Sequence, residues 1–251
     1  MSRKLVVLTG IFVLAMCALA FAQETVDDII KKNIEARGGY DKLKAVNTVK
    51  MTGKQMMQGM EIPFTIIQKR PNCIRLEVSL QGQTMVQVFD GQNAWWINPF
   101  MGLNDPQKMP EDQARSVEEQ ADMDGHLVDS KDKGHTVELI GKENMEGTDV
   151  YKVKVVLKNG DVRYDLIDAE HFLEIKTIAK IDRQGTQIEA ETSISDYKEV
   201  NGLMVGTAME TKVSGQTVSQ ITIDTIEMNV EVDDSLFKMP VKESAPETPQ
   251  N

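Results

Sequence analysis

The sequence is short of the residue types from which most catalytic and metal sites are built. It holds three histidines, His126, His135 and His171, and two cysteines, Cys17 and Cys73, in 251 residues. No two histidines stand four apart around a glutamate, the spacing that sets two imidazoles on one helix face for zinc. There is no G-x-S-x-G elbow, Walker loop or dinucleotide fingerprint. The acidic pairs Glu118-Glu119 and Asp233-Asp234 lie side by side in polar segments, which reads as solvated charge rather than an acid facing a base. The expectation is a protein with no enzymatic activity, no metal and no cofactor. A hydrolase assembled from residues distant in sequence is the alternative.

Positive charge is also in deficit, with 28 Lys and Arg against 39 Asp and Glu. That balance excludes a nucleic-acid partner, which needs clustered cations at the phosphates. It equally excludes attachment to anionic lipid by charge. Long apolar runs are missing except at the start, where Leu5 to Leu19 follows Arg3 and Lys4 and precedes Ala20-Phe21-Ala22. A positive start, a short apolar run and an A-x-A site define a secretory signal peptide. The run is shorter than the ~20 residues of a spanning helix. Residues 1–22 are therefore assigned to a cleaved leader and the remainder to the periplasm. Lipid attachment at Cys17 is the alternative, giving a membrane-tethered protein, although Met16 stands where a small residue is needed. Removing the leader, with its two cations and no acid, takes the net charge from −11 to −13. Cys73 then has no partner within the chain, and the fold rests on burial alone.

What is present is a long record of alternation. Thr25 and Asp28 have capping-box-like spacing ahead of a stripe of Val26, Ile29, Ile30 and Ile34, and Gly38-Gly39 ends this first helix. A short second helix spans 40–45. From Val49 the period becomes two. Ile62, Phe64 and Ile66 alternate with Pro63 and Thr65, and Ile74, Leu76, Val78 and Leu80 alternate with Arg75, Glu77 and Ser79. Met85, Gln87 and Phe89 follow, then the Asp90-Gly91 turn and Ala94-Trp95-Trp96-Ile97. Residues 99–133 interrupt the strands with a weakly amphipathic helix opened by Pro110, its stripe formed by Ala114, Val117 and Ala121; the segment is either a lid or a surface crossover. Strands then resume to Met228, separated by Glu146-Gly147, Asn159-Gly160, Gln184-Gly185, Asn201-Gly202 and Ser214-Gly215. About twelve strands result, in one domain over 23–240, with a disordered tail at 241–251.

So many twisted strands curl rather than stay flat. The predicted fold is mainly β with α: a single curved antiparallel sheet forming an incomplete half-barrel covered by helices, with one side-chain set inside and one outside. Beyond the leader there are thirteen methionines and only five phenylalanines. Methionine is flexible and polarizable, and it suits a surface that adapts to varied apolar partners. Met56, Phe64, Ile66, Met85, Phe89, Trp95, Trp96, Ile97, Met204 and Met209 are the candidate lining of a ligand-binding hollow. Trp95 and Trp96 must point to opposite faces of their strand, so one enters the hollow and the other packs beneath the N-terminal helix.

Several segments carry a family resemblance: Gln68-Lys69-Arg70-Pro71-Asn72-Cys73-Ile74-Arg75-Leu76-Glu77, Phe89-Asp90-Gly91-Gln92-Asn93-Ala94-Trp95-Trp96-Ile97-Asn98-Pro99, Gly125-His126-Leu127-Val128-Asp129, Asp196-Tyr197-Lys198 with Asn201-Gly202, and Asp233-Asp234-Ser235-Leu236-Phe237. Together they resemble the outer-membrane lipoprotein-sorting family (LolA/LolB-like). The resemblance implies a helix-covered half-barrel that binds lipoprotein acyl chains or other lipids. It also implies donor and acceptor partners at the inner and outer membranes. Two other readings stay open: a lipid- or lipoprotein-sensing envelope regulator that acts through a protein partner, and a structural envelope protein with a solid interior.

Overall fold

The structure, a computed structural model, describes residues 24–183 and 186–240, the side chains of 181–187 excepted. The assigned leader, the tail and the Gln184-Gly185 turn lie outside the described residues. Two helices open the chain, α1 (Val26–Ala36) and α2 (Tyr40–Ala45). Six strands follow: β1 (Thr48–Met57), β2 (Met60–Lys69), β3 (Cys73–Leu80), β4 (Gln83–Phe89), β5 (Ala94–Asn98) and β6 (Leu103–Lys108). After α3 (Glu111–Gln120) come β7 (Thr136–Met145), β8 (Thr148–Val156), β9 (Val162–Asp168), β10 (Glu174–Arg183), β11 (Thr186–Val200), β12 (Leu203–Val213) and β13 (Gln216–Met228). No helix among the described residues is long and apolar enough to cross a membrane.

All thirteen strands form one antiparallel sheet in the order β6-β5-β4-β3-β2-β1-β13-β12-β11-β10-β9-β8-β7. It is two meanders joined where β1 meets β13, with Met51 opposite Ile226 and Val49 opposite Met228. The sheet is not closed: β6 and β7 are its two edges. This is the predicted half-barrel. The turns are set by chemistry. At Asn201-Gly202 and Ser214-Gly215 both central residues have positive φ, 52° and 77°, then 50° and 76°. That geometry matches strand twist and favours glycine second. A bulge at Thr52/Gly53 bends β1. A Cβ on Gly53 would stand 2.2 Å from the Thr222 carbonyl and 2.7 Å from the Phe64 ring, so only glycine fits.

The cover helices lie on the inner face, and their docking follows their sequence. The Thr25–Asp28 capping box forms as the spacing predicts. Ile29, fully buried, packs on Val153 and Val155 of β8 and Ile167 of β9. Leu43 of α2 meets Val49 and Leu203. The stripe of α3, Ala114, Val117 and Ala121, covers Ile74, Phe89 and Trp96. The segment read as a lid or surface crossover carries the chain from one sheet edge to the other, and it buries Met109, Val117, Ala121, Leu127 and Val128 on the way. It includes a strand, β6, that the alternation did not show, and Pro110 caps α3 from just outside the helix.

On the outer face the segment after β13 forms a strap. Phe237, in a short 3-10 turn (Asp234–Phe237), is buried against Val86, Val88 and Trp95, and the Trp95 indole N–H donates to the Phe237 carbonyl at 2.8 Å. Trp95 therefore lies under this strap and not under the N-terminal helix. The alternation placed the two rings on opposite faces correctly, but it carried no sign of the outer cover.

Candidate functional site

Where α2 and residues 121–125 roof the middle of the sheet, a hollow of about 310 Å³ remains. Its apolar wall comes from the junction of the two meanders: Val49 and Met51 of β1, Ile226 and Met228 of β13, Met209 of β12 and Ile194 of β11, with Met123 above. Strand pairing explains the convergence. Val49 faces Met228, Met51 faces Ile226, and Met209 faces Ile194. Residues opposite one another across antiparallel strands share a face. Gly206 completes the wall, and a Cβ there would come 2.4 Å from an Ile194 methyl.

The roof is held by ion pairs. Asp124 is 3 % exposed and takes both Arg70 guanidinium N–H groups, at 2.6 and 2.9 Å, and the Lys44 ammonium at 2.6 Å. Burial opposes its charged form, but the hydrogen bonds from Arg70 and Lys44 outweigh that and hold the carboxyl down at about 2. Arg70 also donates to the Val46 and Leu43 carbonyls, tying the crossover, α2 and β2 together. Arg37, just after α1, donates to the Asp124 carbonyl at 2.9 Å.

One end of the hollow is polar. Glu174 opens β10 and lies 3.6 Å from the Arg163 guanidinium, whose Nε is committed to Asp165 at 2.8 Å. Burial, then the charge of Asp165, push the Glu174 carboxyl up to about 8 against the opposing influence of Arg163 and Arg37. The Tyr197 hydroxyl, raised by burial, donates to the Glu174 backbone carbonyl.

A second, larger hollow of about 1340 Å³ lies beside α3 and the β8–β9 turn. Its walls carry Arg70, Lys108, Arg115, Glu118, Glu119 and Lys133. Phe89, Ala94, Met109, Ala114 and Leu157 add an apolar floor, but a hydrocarbon there would also have to strip water from the charged groups around it. His126 lines it, and burial holds that imidazole neutral, down at about 3. Among the described residues no group of three or more His, Cys, Asp or Glu is placed to hold a metal ion.

The structure separates the predicted lining residues into groups. Met204 and Met209 line the apolar hollow. Trp96 faces inward but is packed under α3 with Ile66 beside it, and Phe89, in the same cluster, borders the larger, charged hollow. Phe64 is buried across Gly53, and Met85 sits half-buried opposite Val78 on the same face. Trp95 and Ile97 face outward beneath Phe237, away from the hollow. Met56 is 39 % exposed near the β1–β2 turn, paired with Glu61 and Gln220. Met51, one of the methionines available for a lining, is on the wall, and the residues not anticipated include Val49, Met123, Ile194, Ile226 and Met228, together with Glu174. The alternation of β1 marked Val49 and Met51 as one face, but nothing local marked β13 as their neighbour.

Comparison with solved structures shows that this open antiparallel sheet is a LolA-like fold. A LolA superfamily protein from Nitrosomonas europaea superposes with a TM-score of 0.60 at 13 % identity, covering 86 % of this chain and 98 % of that one. A DUF1329 family protein from Desulfovibrio piger gives 0.60 at 12 % identity, with the same coverages. A domain assigned to outer membrane lipoprotein sorting, from Vibrio parahaemolyticus, gives 0.58 at 10 % identity over 84 % and 94 %. By sequence the chain belongs to a family described as uncharacterized protein, whose profile matches residues 79–240. No curated protein matches it.

Proposed function

We propose that this chain is an exported, non-catalytic lipid-binding protein of the periplasm, carrying an apolar chain in the hollow between β1, β12, β13 and the crossover. The observation that carries this reading is an unfilled space whose wall is mainly methionine, isoleucine, leucine and valine, whereas the larger hollow beside α3 is ringed by charged side chains. At about 310 Å³ it lies at the lower end of the ~300–1,000 Å³ common for small-molecule sites. One acyl chain suits it better than several. Each buried methylene contributes ~0.8 kcal/mol, so about ten of them offset on the order of 8 kcal/mol of exposure to water. The LolA-type fold and the lipoprotein-sorting assignment of a structural neighbour support lipid or lipoprotein acyl chains as cargo, moved between membrane-bound partners.

The test is direct. Protein purified without detergent should release lipid into organic solvent, detectable by mass spectrometry, and should bind the uncharged probe N-phenyl-1-naphthylamine. Substituting Met209→Trp, which places a large ring in the hollow, should abolish both while the protein stays folded. Probe binding that persists unchanged in that variant would show the hollow is not the site.

A further inference from the structure

Every charged or hydrogen-bonding group on the hollow's wall invites the question of whether it is already satisfied. Arg70 is spent on Asp124 and on two backbone carbonyls. Arg37 spends one N–H on the Asp124 carbonyl and keeps its charge at this end of the hollow, and the Tyr197 hydroxyl donates to the Glu174 carbonyl. The side chain of Glu174 is different. Among the described residues its carboxylate accepts no hydrogen bond, and its ion contact, Arg163 at 3.6 Å, belongs first to Asp165 at 2.8 Å. Asp165 is 1 % exposed and contributes a second negative charge beside it. Glu174 is 24 % exposed and lines the hollow. A carboxylate in an apolar wall without hydrogen bonds is costly unless something completes it.

We infer that the hollow is built for a single-chain amphiphile with a primary ammonium head, whose tail lies along Met51, Met209 and Ile226 and whose nitrogen donates to the Glu174 carboxylate. An ammonium supplies the donors that the Glu174 carboxylate lacks, and it carries charge of the sign that carboxylate attracts. A carboxylate head would instead meet Asp165, and from about pH 8 the ionised Glu174, as a like charge. This rests on the lipid-binding reading and adds the head-group chemistry to it.

The groups facing Glu174 are Arg163 and Asp165 from β9, Arg37 after α1, and Tyr197 from β11. In the empty protein the carboxyl is pushed up to about 8 by burial and by Asp165, so near neutral pH it is mostly protonated. Taking up an ammonium must therefore expel a proton. Amine affinity should rise about tenfold per pH unit between pH 6 and 8 and then level off, since alkylammonium groups keep their proton to about pH 10.

The experiment is displacement of N-phenyl-1-naphthylamine by decylamine, decanol and decanoate, three ten-carbon tails that differ only in the head. At pH 8, decylamine should displace at about tenfold lower concentration than decanol, with decanoate the weakest. In Glu174→Gln the three should converge and the pH dependence of decylamine should disappear. Lysophosphatidylethanolamine acting at the decylamine concentration would identify a phospholipid as the source of the ammonium, and decylamine acting alone a simple amine. Equal displacement by all three in the wild type, or a preference that survives Glu174→Gln, overturns the head-group assignment and leaves lipid binding standing. Failure of the probe and of all three tails to bind overturns the lipid-binding reading itself. Should Glu174→Gln not fold, the wild-type pH profile decides alone: a flat profile between pH 6 and 8 refutes the proposal.

Discussion

Two neighbouring regions of the same inner face behave differently. Over β3, β4 and β5, α3 sends Val117 and Ala121 onto Ile74, Phe89 and Trp96, and Met109 fills the margin. Over β1, β12 and β13 the strands are as apolar, but the roof is a single turn and a half of helix and a loop, held by the Asp124 ion pairs. Beneath α3 the first region is a core, bordered on one side by the larger charged hollow, and the second is an apolar hollow of about 310 Å³. An oily strand face does not by itself make a site. What lies over it decides, and here the difference is between a helix with small apolar residues that reach the sheet and a loop pinned at its polar corner.

The largest effect that should expose this contrast is at Trp96, which is 5 % exposed. Trp96→Ala should cost about 3–5 kcal/mol, read from urea unfolding, because the surrounding packing relaxes only partly. The polar corner comes next. Asp124→Ala leaves Arg70 and Lys44 without their acceptor and should cost on the order of 3 kcal/mol. Acid should reach the same corner without a mutation. The Asp124 carboxyl is depressed from 3.8 to about 2 in the fold. Its contribution, about 2 kcal/mol, is thus present above pH ~4 and lost as the pH falls toward 2. The Asp124 variant should lack that part of the acid transition.

Glu174→Gln should act in the opposite direction. A carboxyl raised to about 8 in the fold must hold a proton that the unfolded chain gives up near pH 4.5, so it lowers stability as pH rises between those values. Replacing it should stabilise the empty protein at pH 8 by on the order of 1–3 kcal/mol, measured by thermal or urea unfolding. A core position would show no such gain; a group kept for a ligand would. Destabilisation by this variant would mean that Glu174 serves the fold.

How much of this was legible differs between the two regions for a physical reason. Helix α1, its capping box and its docking stripe are local, as are the period-two strands and the turns at Asn201-Gly202 and Ser214-Gly215. The half-barrel followed from strand number and twist, and the family segments agreed with it. The hollow depends on the pairing of β1 with β13, whose partners Met51 and Ile226 are far apart in the chain. Alternation tells which residues share a face but not what covers it. For that reason Trp96 read as lining although α3 fills the space above it, and Trp95 and Ile97 read as lining although the Phe237 strap closes the other side. Glu174 gave no signal, because an acid at the start of a strand looks solvated until the sheet curls around it.

The smallest effect on stability should come from the wall of the hollow, and it is the sharpest form of the comparison. Met209 is half-buried, opposite Ile194, and borders space that is already empty. Truncating a core residue costs most when it opens a void that the native protein lacks, roughly 24 cal/mol for each Å³ of new cavity. Met209→Ala merely widens an existing void, so it should cost less than about 2 kcal/mol, at or below the bottom of the usual Met→Ala range. The same change should shift tail-length preference, with dodecanol gaining on decanol in probe displacement. A loss as large as that for Trp96→Ala, with no change in preference, would mean that Met209 belongs to a packed core and that the two regions do not differ after all.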